Sequence, residues 1–130
     1  MIDIVIDEIP IPWKAPYVGT RGAFSPRYEV MKLLKRIVKD QYKGEMLDIP
    51  ISCDLFFYMP IPKSTSKKKR ERMLEGSIRP CGPPDRTNCA KLYEDVLQDI
   101  VIKNDARIVG GVIEKWYSDR PRIEIHIEPV

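Results

Sequence analysis

Residues 84–91 read Pro-Asp-Arg-Thr-Asn-Cys-Ala-Lys, and they place a carboxylate, an amide and an amine within two turns of a helix. Asp85 precedes the helix, Thr87 and Asn88 open it, and Lys91 follows one turn later. Hard oxygen donors at a helix N-terminus suit a divalent cation such as Mg²⁺ and, beside it, a phosphate. A nearby ammonium can stabilise charge that builds on phosphorus or on a leaving oxygen. Asn88 can orient a water or a carboxylate. A further carboxylate, Asp105, stands where a strand begins after that helix and can lie beside the helix start. Each residue alone also has a structural explanation. Thr87 can act as an N-cap, Asp85 complements a helix dipole, and Lys91 suits a solvated surface.

Other chemistries are poorly served. His126 is the one histidine, so a Ser-His-Asp or Cys-His site has a single base to draw on. No Gly-rich phosphate loop matches a P-loop or dinucleotide fingerprint. Cys53, Cys81 and Cys89 are an odd number without Cys-x-x-Cys spacing, which argues against a disulfide framework or a zinc knuckle.

Charge is distributed unevenly. Of a net +3, residues 63–91 carry +6 and the rest of the chain −3. The cations are Lys63, Lys67, Lys68, Lys69, Arg70, Arg72, Arg79, Arg86 and Lys91. Such a stretch is the footprint of a polyanionic partner, although a solvated basic surface has the same composition. All but Lys91 are the candidate DNA-binding residues. Residues 63–83 are the basic stretch expected to bind DNA as a flexible loop, and lysine-rich loops often order only on binding.

These side chains need a scaffold. At 130 residues the chain is expected to be a single domain, residues 1–130. Residues 2–9 alternate as a half-buried strand that Pro10 and Pro12 end, and 13–22 read as a loop. Ser25 before Pro26 signals a helix start, with Val30, Leu33, Leu34, Ile37 and Val38 as its apolar stripe and Gly44 as its stop. Residues 50–59 alternate on a partly apolar background, which predicts a central strand. Ser66 caps a short basic helix ending at Gly76. From Thr87 a second long helix buries Cys89, Tyr93, Val96, Leu97 and Ile100. Residues 107–117 and 122–128 then read as a hairpin turning at 118–121. The order predicts an α+β fold: a mixed sheet of about four strands with two main helices on one face. No apolar run approaches the roughly 20 residues that span a bilayer. The acidic, alternating start does not read as a signal peptide. A reducing cytoplasm is the expected compartment.

Taken together, these segments resemble the RusA family of Holliday-junction resolvases, in its prophage-like branch. The resemblance runs from Ile9–Trp13 through the Phe-Tyr-Met-Pro strand end at 57–60 and the basic segment 62–76. Its most specific part is 84–91 with Asn104-Asp105-Ala106-Arg107-Ile108-Val109. The family reads Pro-Asp-x-Asp-Asn-x-x-Lys and then Asp-Asp-x-x-Val. By this resemblance the protein is a homodimer that binds four-way junction DNA and makes paired nicks with Mg²⁺, Mn²⁺ being a possible substitute. Asp85 and Asp105 correspond to metal ligands, Lys91 and Asn88 to catalytic positions. Thr87 stands where the family has its second Asp, and Asn104 where it often has the first Asp of the downstream pair. Thr87 is then a neutral metal ligand in a carboxylate's place. The alternative implied is a catalytically weakened junction-binding protein.

Overall fold

The computed structural model describes residues 1–15, 17–19, 22–24 and 27–130. In chain order the strands and helices are β1 (Ile2–Ile6), β2 (Tyr17–Gly19), β3 (Gly22–Phe24), α1 (Tyr28–Gln41), β4 (Ile51–Pro60), α2 (Lys67–Leu74), α3 (Arg86–Leu97), β5 (Ile108–Gly110), β6 (Ile113–Ser118) and β7 (Arg122–Pro129). A single 3-10 turn, Asp105–Arg107, precedes β5. The fold is α+β, with a mixed five-stranded sheet and three helices. β2 and β3 make a separate two-stranded ribbon in a stretch that the sequence suggests as loop. Ser25 and Pro26, the expected helix start, lie outside the described residues; α1 begins at Tyr28.

β4 holds the centre because both of its faces are apolar enough to be covered. Ile51, Cys53, Leu55, Phe57 and Met59 are buried, and Ser52, Asp54, Phe56 and Tyr58 are half-buried. β7 runs antiparallel along one side of β4 and β1 pairs antiparallel with β7. β5 and β6 run parallel along the other side of β4. The expected hairpin of 107–117 with 122–128 is therefore corrected. Those strands are antiparallel and adjacent in sequence, but β4 lies between them, and Tyr58 pairs with Trp116 on one side and Arg122 on the other. The 107–117 stretch is also broken in two. Gly111 sits at φ 124°, and a Cβ there would lie 2.0 Å from the Cys53 carbonyl oxygen, so only glycine lets the chain pass.

One face of the sheet is the core. Ile4, Ile6, Ile123, Ile125 and Ile127 join the buried side of β4 beneath Leu34 and Val38 of α1 and Cys89, Tyr93, Val96 and Leu97 of α3. Each such side chain contributes roughly 1.5–3 kcal/mol by leaving water. The rings of Phe57 and Tyr93, 5.5 Å apart, join the sheet to α3. This packing fixes the roll of α3 and hence the direction its polar face points.

Side chains seal both sheet edges, which limits pairing with foreign strands. The Gln41 carboxamide accepts from the Val5 N–H at 2.9 Å and donates to the Val5 carbonyl at 2.6 Å, on β1. On β6, Arg86 donates to the Ile113 carbonyl at 3.2 Å and Arg79 to the Lys115 carbonyl at 2.8 Å. Ser66 caps α2 as expected, its hydroxyl accepting from the Lys69 N–H at 3.3 Å. Residues 67–74 form the short basic helix expected after Ser66.

Candidate active site

The polar residues of 85–91 meet because α3 starts where the proline loop ends. Asp85 is the N-cap residue, in an extended conformation (φ −72°, ψ 149°), yet its carboxylate makes no capping bond. Its Oδ2 accepts instead from the Thr87 hydroxyl at 3.0 Å. No side chain caps the first turn of α3 and no acid follows within it, so that end of the helix still favours an anion. Asp85 is exposed and borders two concavities. One, of about 470 Å³, is lined by Pro80, Cys81, Gly82, Pro83, Arg86 and Lys115. The other, of about 420 Å³, is lined by Pro12, Pro83, Pro84 and Asn88.

Lys115, which the sequence offers only as a strand residue, sets the loop in place. Its Nζ donates to the carbonyls of Gly82 at 2.7 Å and Pro84 at 2.8 Å. These bonds cross from β6 to the segment that delivers Asp85. Nothing in the local pattern of β6 marks Lys115, since its partners are more than thirty positions away.

Asn88 and Lys91 face the chain that leaves β1. The Trp13 N–H donates to the Asn88 carbonyl at 3.1 Å, and the Asn88 amide donates to the Trp13 carbonyl at 3.1 Å. The Lys91 ammonium lies 3.6 Å from the centre of the Trp13 ring. One turn further on, the Tyr93 hydroxyl accepts from the Ile11 N–H at 3.1 Å. Burial holds this phenol well above the ordinary tyrosine range, so it stays neutral.

The structure thus brings Asp85, Thr87 and Asn88 together at the start of α3, and sets Lys91 further along the helix, over the Trp13 ring. Asp105 is exposed in the turn beyond α3, its N–H donating to the Gln98 side chain at 3.3 Å. Its charge is felt by Glu94 and Asp95. Burial first, and the Asp105 charge second, raise both carboxyl groups above their ordinary values; Lys91 and Lys35 partly offset this at Asp95. Glu94 lies roughly 13 Å along the helix axis from Asp85 at 1.5 Å per residue. Within one chain, Asp105 is thus grouped with the far turns of α3. Among the described residues, no group of three or more His, Cys, Asp or Glu side chains is arranged to hold a metal.

The two buried thiols are poor nucleophiles. Burial pushes Cys89 up to about 11, with Lys115 opposing and Asp85 adding to the rise, and pushes Cys53 up to about 12. The basic segment divides in two. Lys63 and the α2 residues Lys67, Lys68, Lys69, Arg70 and Arg72 are exposed. Among the described residues none of them has a carboxylate within 4.0 Å. Arg79 and Arg86 are tied to the β6 edge, and the Arg79 guanidinium also stacks 3.4 Å from the Trp116 ring.

The family model described as "Endodeoxyribonuclease RusA" matches residues 10–128. A relative from Bacillus subtilis (strain 168), described as "Uncharacterized protein YqaN", is 37% identical over 97 residues, which is 72% of this chain and 68% of the relative.

Proposed function

The chain belongs to the RusA endodeoxyribonuclease family, and on that premise we propose that it is a structure-selective endonuclease that nicks four-way DNA junctions by Mg²⁺-dependent hydrolysis. The family is one of Holliday-junction resolvases and so implies junction DNA as the substrate. One observation carries the reading for this chain: an exposed carboxylate and an uncapped helix N-terminus stand at the head of α3, and the next turn carries an ammonium with no carboxylate within 4.0 Å among the described residues.

The donor set suits Mg²⁺. Asp85 and Thr87 offer adjacent hard oxygens, and Mg²⁺ typically takes one or two carboxylates and keeps several waters. Asp85 and Thr87 would hold it; Asp105, which the family resemblance makes a further ligand, stands with the far turns of α3 within the same chain. Bound there, the ion would polarise the phosphate and lower the pKa of a coordinated water. The residues of the chain do the rest. The free N–H groups of α3 bind phosphate oxygens. Asn88 orients a polar group beside Asp85. Lys91 offers positive charge to the negative charge that builds on the phosphoryl oxygens or on the leaving oxygen. Lys63 and the α2 cations hold the DNA backbone without reading sequence. A four-way junction is nearly two-fold symmetric, so paired nicks call for a homodimer with two such sites.

Thr87 supports a second reading, that of a junction-binding protein with weakened catalysis, since a neutral hydroxyl replaces a family carboxylate. Purified protein with synthetic junctions, Mg²⁺ and Mn²⁺ separates the two. Nicking that disappears in Asp85→Asn and in Asp105→Asn supports the endonuclease. Tight, salt-sensitive binding without nicking, restored by Thr87→Asp, supports the weakened form. Unchanged nicking in both Asp variants would remove these residues from the reaction.

A further inference from the structure

The segment Pro10–Trp13 is an extended strap laid along α3. Pro10 is buried, and Pro10 and Pro12 restrict the backbone to extended conformations. The strap is fixed by the Ile11 bond to Tyr93, by the paired Trp13–Asn88 bonds, and by a bond from the Arg27 Nε to the Pro12 carbonyl at 3.1 Å. Its last residue puts an indole face 3.6 Å from the Lys91 ammonium. Every polar contact of the strap with α3 falls on Asn88 or Tyr93, the residues on either side of Lys91 along the helix.

From this geometry we infer that Trp13 is a positioning residue for Lys91: the indole holds the ammonium at the head of α3 without neutralising it. The inference rests on the endonuclease reading, in which Lys91 acts on the phosphate. A lysine side chain left to itself samples many rotamers. A carboxylate partner would restrict it, but would cancel its charge and occupy its donors. An aromatic face attracts the cation through its quadrupole and leaves the N–H groups free to donate elsewhere. Among the described residues no carboxylate lies within 4.0 Å of Lys91. The stacked arginines differ. Arg79, over Trp116, donates to the Lys115 carbonyl, and Arg122, over Tyr58, is bonded to Glu124. Their stacking completes structural contacts, whereas the Lys91 ammonium, whose charge reaches Asp95 on the same helix, makes no ion pair within 4.0 Å among the described residues.

The test compares the full chain with Trp13→Phe and Trp13→Leu. Both replacements keep an apolar bulk and the main-chain bonds to Asn88, and only Phe keeps a π face. The single-turnover nicking rate on a synthetic four-way junction is measured with Mg²⁺ or Mn²⁺, and junction affinity without metal. Trp13→Leu should lower the rate by roughly tenfold, with affinity unchanged, as expected for a misplaced catalytic group. Trp13→Phe should stay within about threefold of the parent. In parallel, the Lys91 ε-methylene NMR signal, assigned by its loss in Lys91→Ala, should be ring-shifted upfield in the parent and in Trp13→Phe, and unshifted in Trp13→Leu. Equal rates for Leu and Phe, or an unshifted Lys91 signal in the parent, would overturn the inference. A parent chain that nicks no junction under either metal would sink the endonuclease reading instead, and the NMR signal would still decide whether Trp13 holds Lys91.

Discussion

On the sheet face away from the core helices, Arg122 stacks 3.9 Å from the Tyr58 ring while its Nε donates to Glu124 at 2.7 Å. Beside it His126 meets Phe56 edge-on and contacts Asp3 at 2.6 Å through Nδ1. At the head of α3, Lys91 also stacks on an aromatic ring, but there the cation has no acid and the acid, Asp85, has no cation within 4.0 Å among the described residues. The two regions use the same kinds of side chain. On the sheet face opposite charges satisfy one another, and little is left to offer a ligand. On α3 neither Lys91 nor Asp85 has an opposite charge within 4.0 Å among the described residues, which suits a site completed by an outside ion and phosphate.

The strongest way to break this contrast is to exchange the roles of the two regions. Asp85→Asn should reduce junction nicking by at least about 100-fold, the loss typical of removing a group that stabilises transition-state charge. Glu124→Gln on the sheet should leave the nicking rate within about twofold, at a stability cost below about 1 kcal/mol. Paired rate and urea-unfolding measurements check both, and the opposite pattern would move the chemistry to the sheet. Next in size is the basic helix. Alanine at Lys67, Lys68, Lys69, Arg70 and Arg72 should weaken junction binding by roughly tenfold or more. It should also flatten the log Kd against log salt plot by about 0.9 for each phosphate that is no longer neutralised. Nicking at saturating protein should survive. Smaller again is the strap itself. Tyr93→Phe leaves the Ile11 N–H without its acceptor and should cost roughly 1–3 kcal/mol in urea unfolding. An unchanged midpoint would mean that the strap adds nothing to the fold.

Much of the scaffold was legible because it is written locally. The alternation of 51–59, the α1 stripe and the Ser66 cap depend on neighbours within a few residues, and they stand in the structure except for Leu33 of the stripe, which is exposed. Asp85 at a helix mouth was readable for the same reason. What failed depends on partners far along the chain. A short turn between two strands reads as a hairpin whether they pair with each other or with a third strand between them, so the place of β4 between β6 and β7 had no local signal. The break at Gly111 comes from the Cys53 carbonyl, a contact that no window around residue 111 contains. Asn88 and Lys91 were legible as chemistry, but their engagement by Trp13, more than seventy residues away, was not. The relation of Asp105 to Asp85 likewise depends on how the turn after α3 docks.

The two ends of α3 differ as well, and pH can read that difference. At the far end, burial and the Asp105 charge raise the Glu94 carboxyl above its ordinary 4.5. A carboxyl that holds its proton more tightly in the folded chain binds more protons folded than unfolded within that window. Stability therefore falls as pH rises from about 4.5 through the raised value, and the contribution is flat on either side. The ion-paired Asp48 carries the opposite sign: its carboxyl is lowered by Arg107, and its contribution is lost as pH falls through the lowered value. Raw profiles mix the two, so the difference between variants is the quantity to follow. Glu94→Gln removes a charge the fold disfavours. It should gain stability relative to the parent as pH is raised from 4 to 7, the gap opening above about 4.5 and then levelling. Asp105→Asn should produce a weaker gain of the same sign, because burial rather than the neighbouring charge is the larger cause at Glu94. Urea unfolding of the three proteins across that range checks the order. A gap that closes with rising pH would mean that Glu94 is stabilised as an anion, and the far end of α3 would then resemble the paired charges of the sheet.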